Sequence, residues 1–230
     1  MHENARLILV AFAALAAVSC HGPSAGSGRD AGPPLATPRA VHPRISAPGE
    51  YPVDVEKSQL SLSVIKDRDT TSPVVATLRL RDGAVSLDGT PPSARLSVDL
   101  DSFDSSIPLR NERVRGIFFE TSALGWETAE LTVPSIPADV VQTLRQRKIA
   151  SHVTLDAKLQ VHGQSEPLTL LVDAGYADDG RLWVKTASPA QVKISGVGLA
   201  GNLRRLSSIC MHDSIDDIVN ITASFEFATK

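Results

Sequence analysis

From Tyr51 onward, apolar and polar residues alternate along the chain. The alternation is plainest over residues 152–161. Val153, Leu155, Ala157, Leu159 and Val161 fall on one side, and His152, Thr154, Asp156, Lys158 and Gln160 on the other. Successive side chains of a strand point to opposite faces, so this segment predicts a half-buried strand with one wet face. The C-terminal run repeats the pattern: Val219, Ile221, Ala223, Phe225 and Phe227 alternate with Asn220, Thr222, Ser224 and Glu226. Further strands are predicted over 59–66, 75–80, 83–87, 94–101, 129–133, 168–174, 182–186 and 191–194. Turn residues separate several of them: Asp82-Gly83, Asp88-Gly89-Thr90-Pro91-Pro92 and Asp178-Asp179-Gly180.

Helical spacing is confined to short pieces. Residues 137–148 start on a proline and carry Val140, Val141 and Leu144. Residues 108–116 allow one or two turns, and 203–211 form a third candidate. Many short strands, brief helices and no βαβ rhythm predict an all-β, antiparallel barrel or sandwich. Alternation on nearly every strand fits a barrel of about eight strands, wide enough to be filled by side chains or to hold one small ligand.

The N-terminus follows different rules. Residues 7–18 are an unbroken apolar run behind Arg6, about a dozen residues long and too short to cross a bilayer core of about 30 Å as a helix. Small residues then lead into Cys20. This arrangement resembles the lipobox of bacterial lipoproteins. The resemblance implies cleavage before Cys20, a diacylglycerol on its sulfur and an acyl chain such as palmitate on its new amino group. Two or three acyl chains, each methylene contributing about 0.8 kcal/mol, would make attachment effectively permanent. His21 rather than aspartate after the cysteine implies the outer membrane by the enterobacterial sorting rule. Residues 21–50 are rich in Pro, Gly, Ala and Ser and hold no aromatic residue. Such a segment buries too little apolar surface to offset its ordering entropy, and is predicted to be a disordered linker. The expected organisation is a signal peptide over 1–19, the lipidated cysteine and linker over 20–50, and one domain over 51–230.

Composition narrows the function. The net charge is −3, with basic and acidic residues interspersed, so there is no electrostatic footprint for nucleic acid. With Cys20 lipidated, Cys210 has no partner for an internal disulfide.

Several segments together resemble the YceI-like family of lipocalin-like barrels that bind isoprenoid lipids. Tyr51-Pro-Val-Asp54, with Ser58 and the Leu60/Leu62/Val64 alternation, is similar to the family's opening strand. Arg110-Asn-Glu-Arg-Val-Arg-Gly-Ile-Phe-Phe119 resembles its Arg-Asp-x-His-Leu-x-Ser-x-Asp-Phe-Phe segment. Leu159-Gln-Val-His-Gly163, followed by Pro167-Leu-Thr-Leu170, resembles its His-Gly hairpin. Gly198-Leu199 and Ile215-Asp-Asp-Ile-Val219 resemble its closing region. The departures are Lys57 for the usual first-strand histidine, Arg113 for a second histidine, and Ile117 for the aspartate before the paired phenylalanines. The resemblance implies an extended lipocalin-like barrel with short helices, and an isoprenoid ligand such as a quinone or polyprenyl phosphate.

The candidate ligand residues follow from the alternation. A closed sheet turns Leu155, Leu159, Val161, Leu170, Val219, Ile221 and Phe225 inward together. Phe118 and Phe119 stand either against the ligand near one barrel end or in the core under a loop. Arg110 and Arg113, with Arg115, either meet a phosphate at the barrel mouth, where guanidinium matches it bidentately, or lie solvated. His162-Gly163 reads as a turn with a backbone-bonded histidine. Asp99, Asp101 and Asp104 lack the glycine and closing glutamate of a calcium loop, and no histidine or cysteine pair has metal spacing. No serine has a nucleophile motif. The expectation is a non-catalytic protein without metal or cofactor, whose partners are an apolar lipid and the membrane that anchors it, facing the periplasm. An interaction module with a self-filled barrel remains the alternative.

Overall fold

A computed structural model describes residues 49–123 and 125–228. The leader, Cys20 and the Pro/Gly/Ala-rich segment through residue 48 lie outside the described residues. The strands are β1 (Glu50–Lys66), β2 (Val74–Ser86), β3 (Ser93–Asp104), β4 (Thr128–Val133), β5 (Ala150–Val161), β6 (Gln164–Tyr176), β7 (Leu182–Thr186), β8 (Ala190–Lys193) and β9 (Ile215–Phe227). All neighbours are antiparallel, in the order β1-β2-β3-β4-β5-β6-β7-β9-β8, and a β1–β9 ladder closes the ring. The result is an eight-stranded barrel with β8 as an extra strand. β7 and β8 share one lane: both pair with β9, first Leu182–Lys185 and then Ala190–Lys193.

Three helices decorate it: α1 (Pro108–Arg113), α2 (Ala138–Arg145) and α3 (Ala200–Cys210). A π-helical turn, Val114–Phe118, extends α1. α1, this turn and α3 gather at one end of the barrel. α2 sits at the other end, where β4 ends and β5 begins.

Alternation sets the faces. On β2, Ala76, Leu78 and Leu80 are buried while Val75, Thr77 and Arg79 alternate with them. The turn expected at Asp82-Gly83 is absent. β2 runs through these residues, and its register with β3 slips between Leu80 and Asp82. This is a bulge, and Gly83 is there because backbone crowds it. A Cβ added at Gly83 would stand 2.7 Å from the Arg95 carbonyl oxygen. The predicted β5–β6 turn is a two-residue hairpin. His162 and Gly163 have φ of 49° and 75°, and Val161 pairs with Gln164 across them. Positive φ at both central residues is the primed turn that matches strand twist.

Candidate functional site

The upper half of the barrel, toward α2, is hollow. Its cavity measures about 150 Å³. Leu96 and Val98 from β3, Leu131 from β4, Leu155 and Leu159 from β5, and Leu170 and Val172 from β6 supply much of the wall. β9 adds Ile221, Ala223, Phe225 and Phe227. Val140 and Leu144 of α2, four residues apart on one helical face, line that end together with Ile136, which precedes the helix. Val153, Leu155 and Leu159 point inward yet are only half-buried, because the space they face is empty. A water in such a place needs two to four polar partners. The wall offers essentially none, so the cavity is a hydrocarbon-like space. Lys185 and Thr186, side by side at the end of β7, are its only polar lining residues.

The lower half is filled by the chain itself. Phe103, Phe118 and Phe119 are buried together. Phe118 and Phe119 have ring centroids 4.9 Å apart, and Phe103 meets Phe119 edge-on at 6.1 Å. Polar contacts fasten this plug. His162 Nε2 stands 2.6 Å from the Phe119 carbonyl, which can only accept, so Nε2 carries the hydrogen. The ring of Trp126 stacks on His162 at 4.3 Å. Asn202 of α3 donates to the Phe118 carbonyl at 2.9 Å. These bonds satisfy carbonyls that the end of a helical turn leaves without partners.

Five of the inward residues named from sequence line the cavity: Leu155, Leu159, Leu170, Ile221 and Phe225. The others lie elsewhere. Val161 is buried at the lower end of β5. Val219 packs at the lower part of β9, level with Val64 and Val192. Both face inward, below the cavity. Phe118 and Phe119 belong to the plug. Arg110 and Arg113 are on α1, beyond that plug. Arg113 donates to the Cys210 sulfur at 3.6 Å, and the Arg110 carbonyl accepts the N–H of Val114. The aspartates of β3 serve local structure: Asp104 accepts from Ser106 and Asn111, and Asp101 accepts from Thr121. α2 contributes cavity residues that strand alternation does not point to; the four-residue spacing of Val140 and Leu144 is the signal for them.

Tyr176 stands at the α2 end beneath the Arg147 guanidinium, which is 4.1 Å from its ring centre. Burial, then the hydrogen bond with Tyr51, pushes its hydroxyl up to about 12, and the Arg147 charge opposes the shift.

With this geometry in hand, the chain can be set beside known proteins. The model of the YceI-like domain matches residues 51–227. No curated protein sequence gives a significant match. A solved polyisoprenoid binding domain from Saccharophagus degradans, implicated in plant cell wall breakdown, is 24% identical. The match covers 78% of this chain and 98% of that one, with a TM-score of 0.67. BcnA from Burkholderia cenocepacia is 21% identical over 77% of this chain and 99% of its own, with a TM-score of 0.53. At these identities the structural likeness speaks for the fold, while the domain match spans most of the chain. The chain belongs to the YceI-like family.

Proposed function

We propose that the barrel binds the apolar chain of a lipid, isoprenoid in type, and sequesters or carries it. The cavity carries this reading: a space walled by aliphatic side chains disfavours water and rewards hydrocarbon. A polyisoprenoid-binding neighbour on the same fold supports it. The aliphatic wall supports the reading of a binding protein.

Magnitudes bound the ligand. Each buried methylene contributes about 0.8 kcal/mol, so one five-carbon unit gains about 4 kcal/mol. That corresponds to binding near 1 mM, and two units to about 1 μM. A cavity of about 150 Å³ is the size that holds one benzene. A ligand bound at micromolar concentration therefore extends beyond the enclosed space. Titration with a prenyl alcohol carrying a fluorophore at its head is the test. Saturable binding of one probe per chain is expected, and no saturable binding overturns the reading.

We further propose that Cys20 is the lipidated N-terminus of the mature protein. The linker then lets the barrel stand clear of an outer membrane, on its periplasmic side. Support for this is in the sequence: the short apolar run, the small residues and the cysteine.

A further inference from the structure

We propose that the lipid chain enters and leaves the barrel sideways, through a seam between β6 and β8, with its head left in water there. The proposal rests on the lipid-binding reading above. It starts from a ladder that stops. β7 pairs with β6 from Leu182 to Thr186, and the Ala187 N–H still reaches the Leu171 carbonyl at 2.9 Å. Below that point β8 takes over the lane and pairs with β9 alone. Among the described residues no ladder joins β8 to β6.

The sequence builds this gap. N–H and C=O of a strand residue point the same way, and alternate residues face opposite neighbours. Leu171 faces the β7/β8 lane, so Thr169, Pro167 and Ser165 face it too. Pro167 has no N–H to offer, and prolines in sheets sit on edges. The β9 side, by contrast, is fastened. Thr186 Oγ1 accepts the Ala223 N–H at 3.1 Å, and the Ile194 N–H reaches the Asp217 carbonyl at 2.8 Å. Below, the wall shuts again where Gly196 lies against Glu166: a Cβ there would stand 2.5 Å from the carboxyl carbon. The stretch without ladder bonds, from Glu166 to Leu171, is roughly 16 Å long at 3.3 Å per residue.

The cavity reaches this seam from inside. Leu168 and Leu170 line it on the β6 side, and Ala190 on the β8 side. Its two polar lining residues, Lys185 and Thr186, stand at the seam's upper end. The phenylalanine plug fills one barrel end, and Val140 and Leu144 of α2 line the cavity at the other. A chain longer than the enclosed space has to leave it somewhere. The seam is where, among the described residues, no ladder of hydrogen bonds has to break.

The test is to lock the seam. The ladders on either side of the lane bring Thr169 level with Gln191, and both are exposed. The pair Thr169→Cys and Gln191→Cys is made in the full chain carrying Cys20→Ser and Cys210→Ser, then joined by a short, reducible bis-thiol crosslinker. Entry and exit of the head-labelled prenyl probe should both slow on the order of tenfold or more, as for a closed gate, and recover on reduction. The control pair, Asp88→Cys and Arg145→Cys, replaces an ion pair of 2.8 Å and pins α2 instead. It should leave the rates unchanged. Unchanged rates in the seam-locked chain, or slowing only when α2 is pinned, overturn the portal. Amide exchange of the unmodified chain gives a second reading. The Ser165 and Thr169 amides should exchange faster than those of Leu168 and Leu170, and equal protection of all four means a sealed wall. Wild-type chain that takes up no probe removes the binding reading and the portal together. Binding with rates indifferent to the lock removes the portal alone.

Discussion

At the scale of single residues, the cavity is a matter of which apolar side chain stops short. Leu159 sits at mid-wall, paired with Leu131 on β4 and Glu166 on β6. Leu159→Trp adds volume into existing space rather than into packed core, so the fold should survive. Saturable prenyl binding should fall at least about tenfold, because roughly two methylenes' worth of burial is lost. Unchanged affinity by fluorescence titration, in a variant with native circular dichroism, would place the ligand elsewhere. Tyr176 makes a separate prediction. Its hydroxyl titrates near 10 in an unfolded chain and at about 12 in the folded one. The folded state therefore holds this proton more tightly. The stability it contributes is complete below pH 10 and is lost as pH rises toward 12. Urea unfolding of wild type and Tyr176→Phe should show a stability difference that shrinks across that window. A difference constant from pH 9 to pH 12 would contradict the assignment. Period-two spacing reveals which face a residue takes, and so made Leu155, Leu159, Leu170, Ile221 and Phe225 legible. It says nothing of height along the barrel axis. That is why Val161 and Val219, on the same faces, fall below the cavity, and why the aromatic pair could not be told from ligand contacts.

At the scale of elements, α2 does more than cap the sheet. Val140 and Leu144 help complete the wall beside Ile136, which precedes the helix, and Leu144 is almost wholly buried. Leu144→Ala should cost about 2–5 kcal/mol of stability, as large-to-small core changes do. It should also lengthen the prenyl chain bound most tightly, because the void grows at its closed end. Urea unfolding and a series of prenyl alcohols check the two halves. A destabilised variant with an unaltered chain-length preference would show that α2 is structural only. The strands themselves were largely legible, but their joints were not. Asp82-Gly83 has the composition of a turn and serves as a bulge, because a barrel strand must bend where a hairpin would reverse. The difference is made by Arg95 and Leu96 on the neighbouring strand, which local sequence does not report. β8, four residues long, reads as an ordinary strand. Its one-sided pairing depends on Pro167, some two dozen residues earlier in the chain.

At the scale of the molecule, the barrel is two compartments in one sheet. Aromatic packing fills the lower half and aliphatic wall encloses the upper. The resemblance of the Arg/Phe-Phe and His-Gly segments to the YceI-like family was legible because those segments build the lower plug: His162 bonds the Phe119 carbonyl. These segments thus belong to the scaffold, and the cavity lies at the other end. The N-terminal expectation belongs to this scale as well. Cys20→Ser should abolish acylation, so intact-mass measurement of the protein from its own cells should show no acyl chains. Acyl mass persisting on Cys20→Ser would contradict the lipobox reading. Whether the upper compartment holds lipid is tested most directly by native mass spectrometry of the wild-type chain, purified gently from the cells that make it. A population heavier by one isoprenoid lipid is expected, lost in Leu159→Trp. Protein that carries no lipid, and still binds no prenyl probe when offered one, would contradict it.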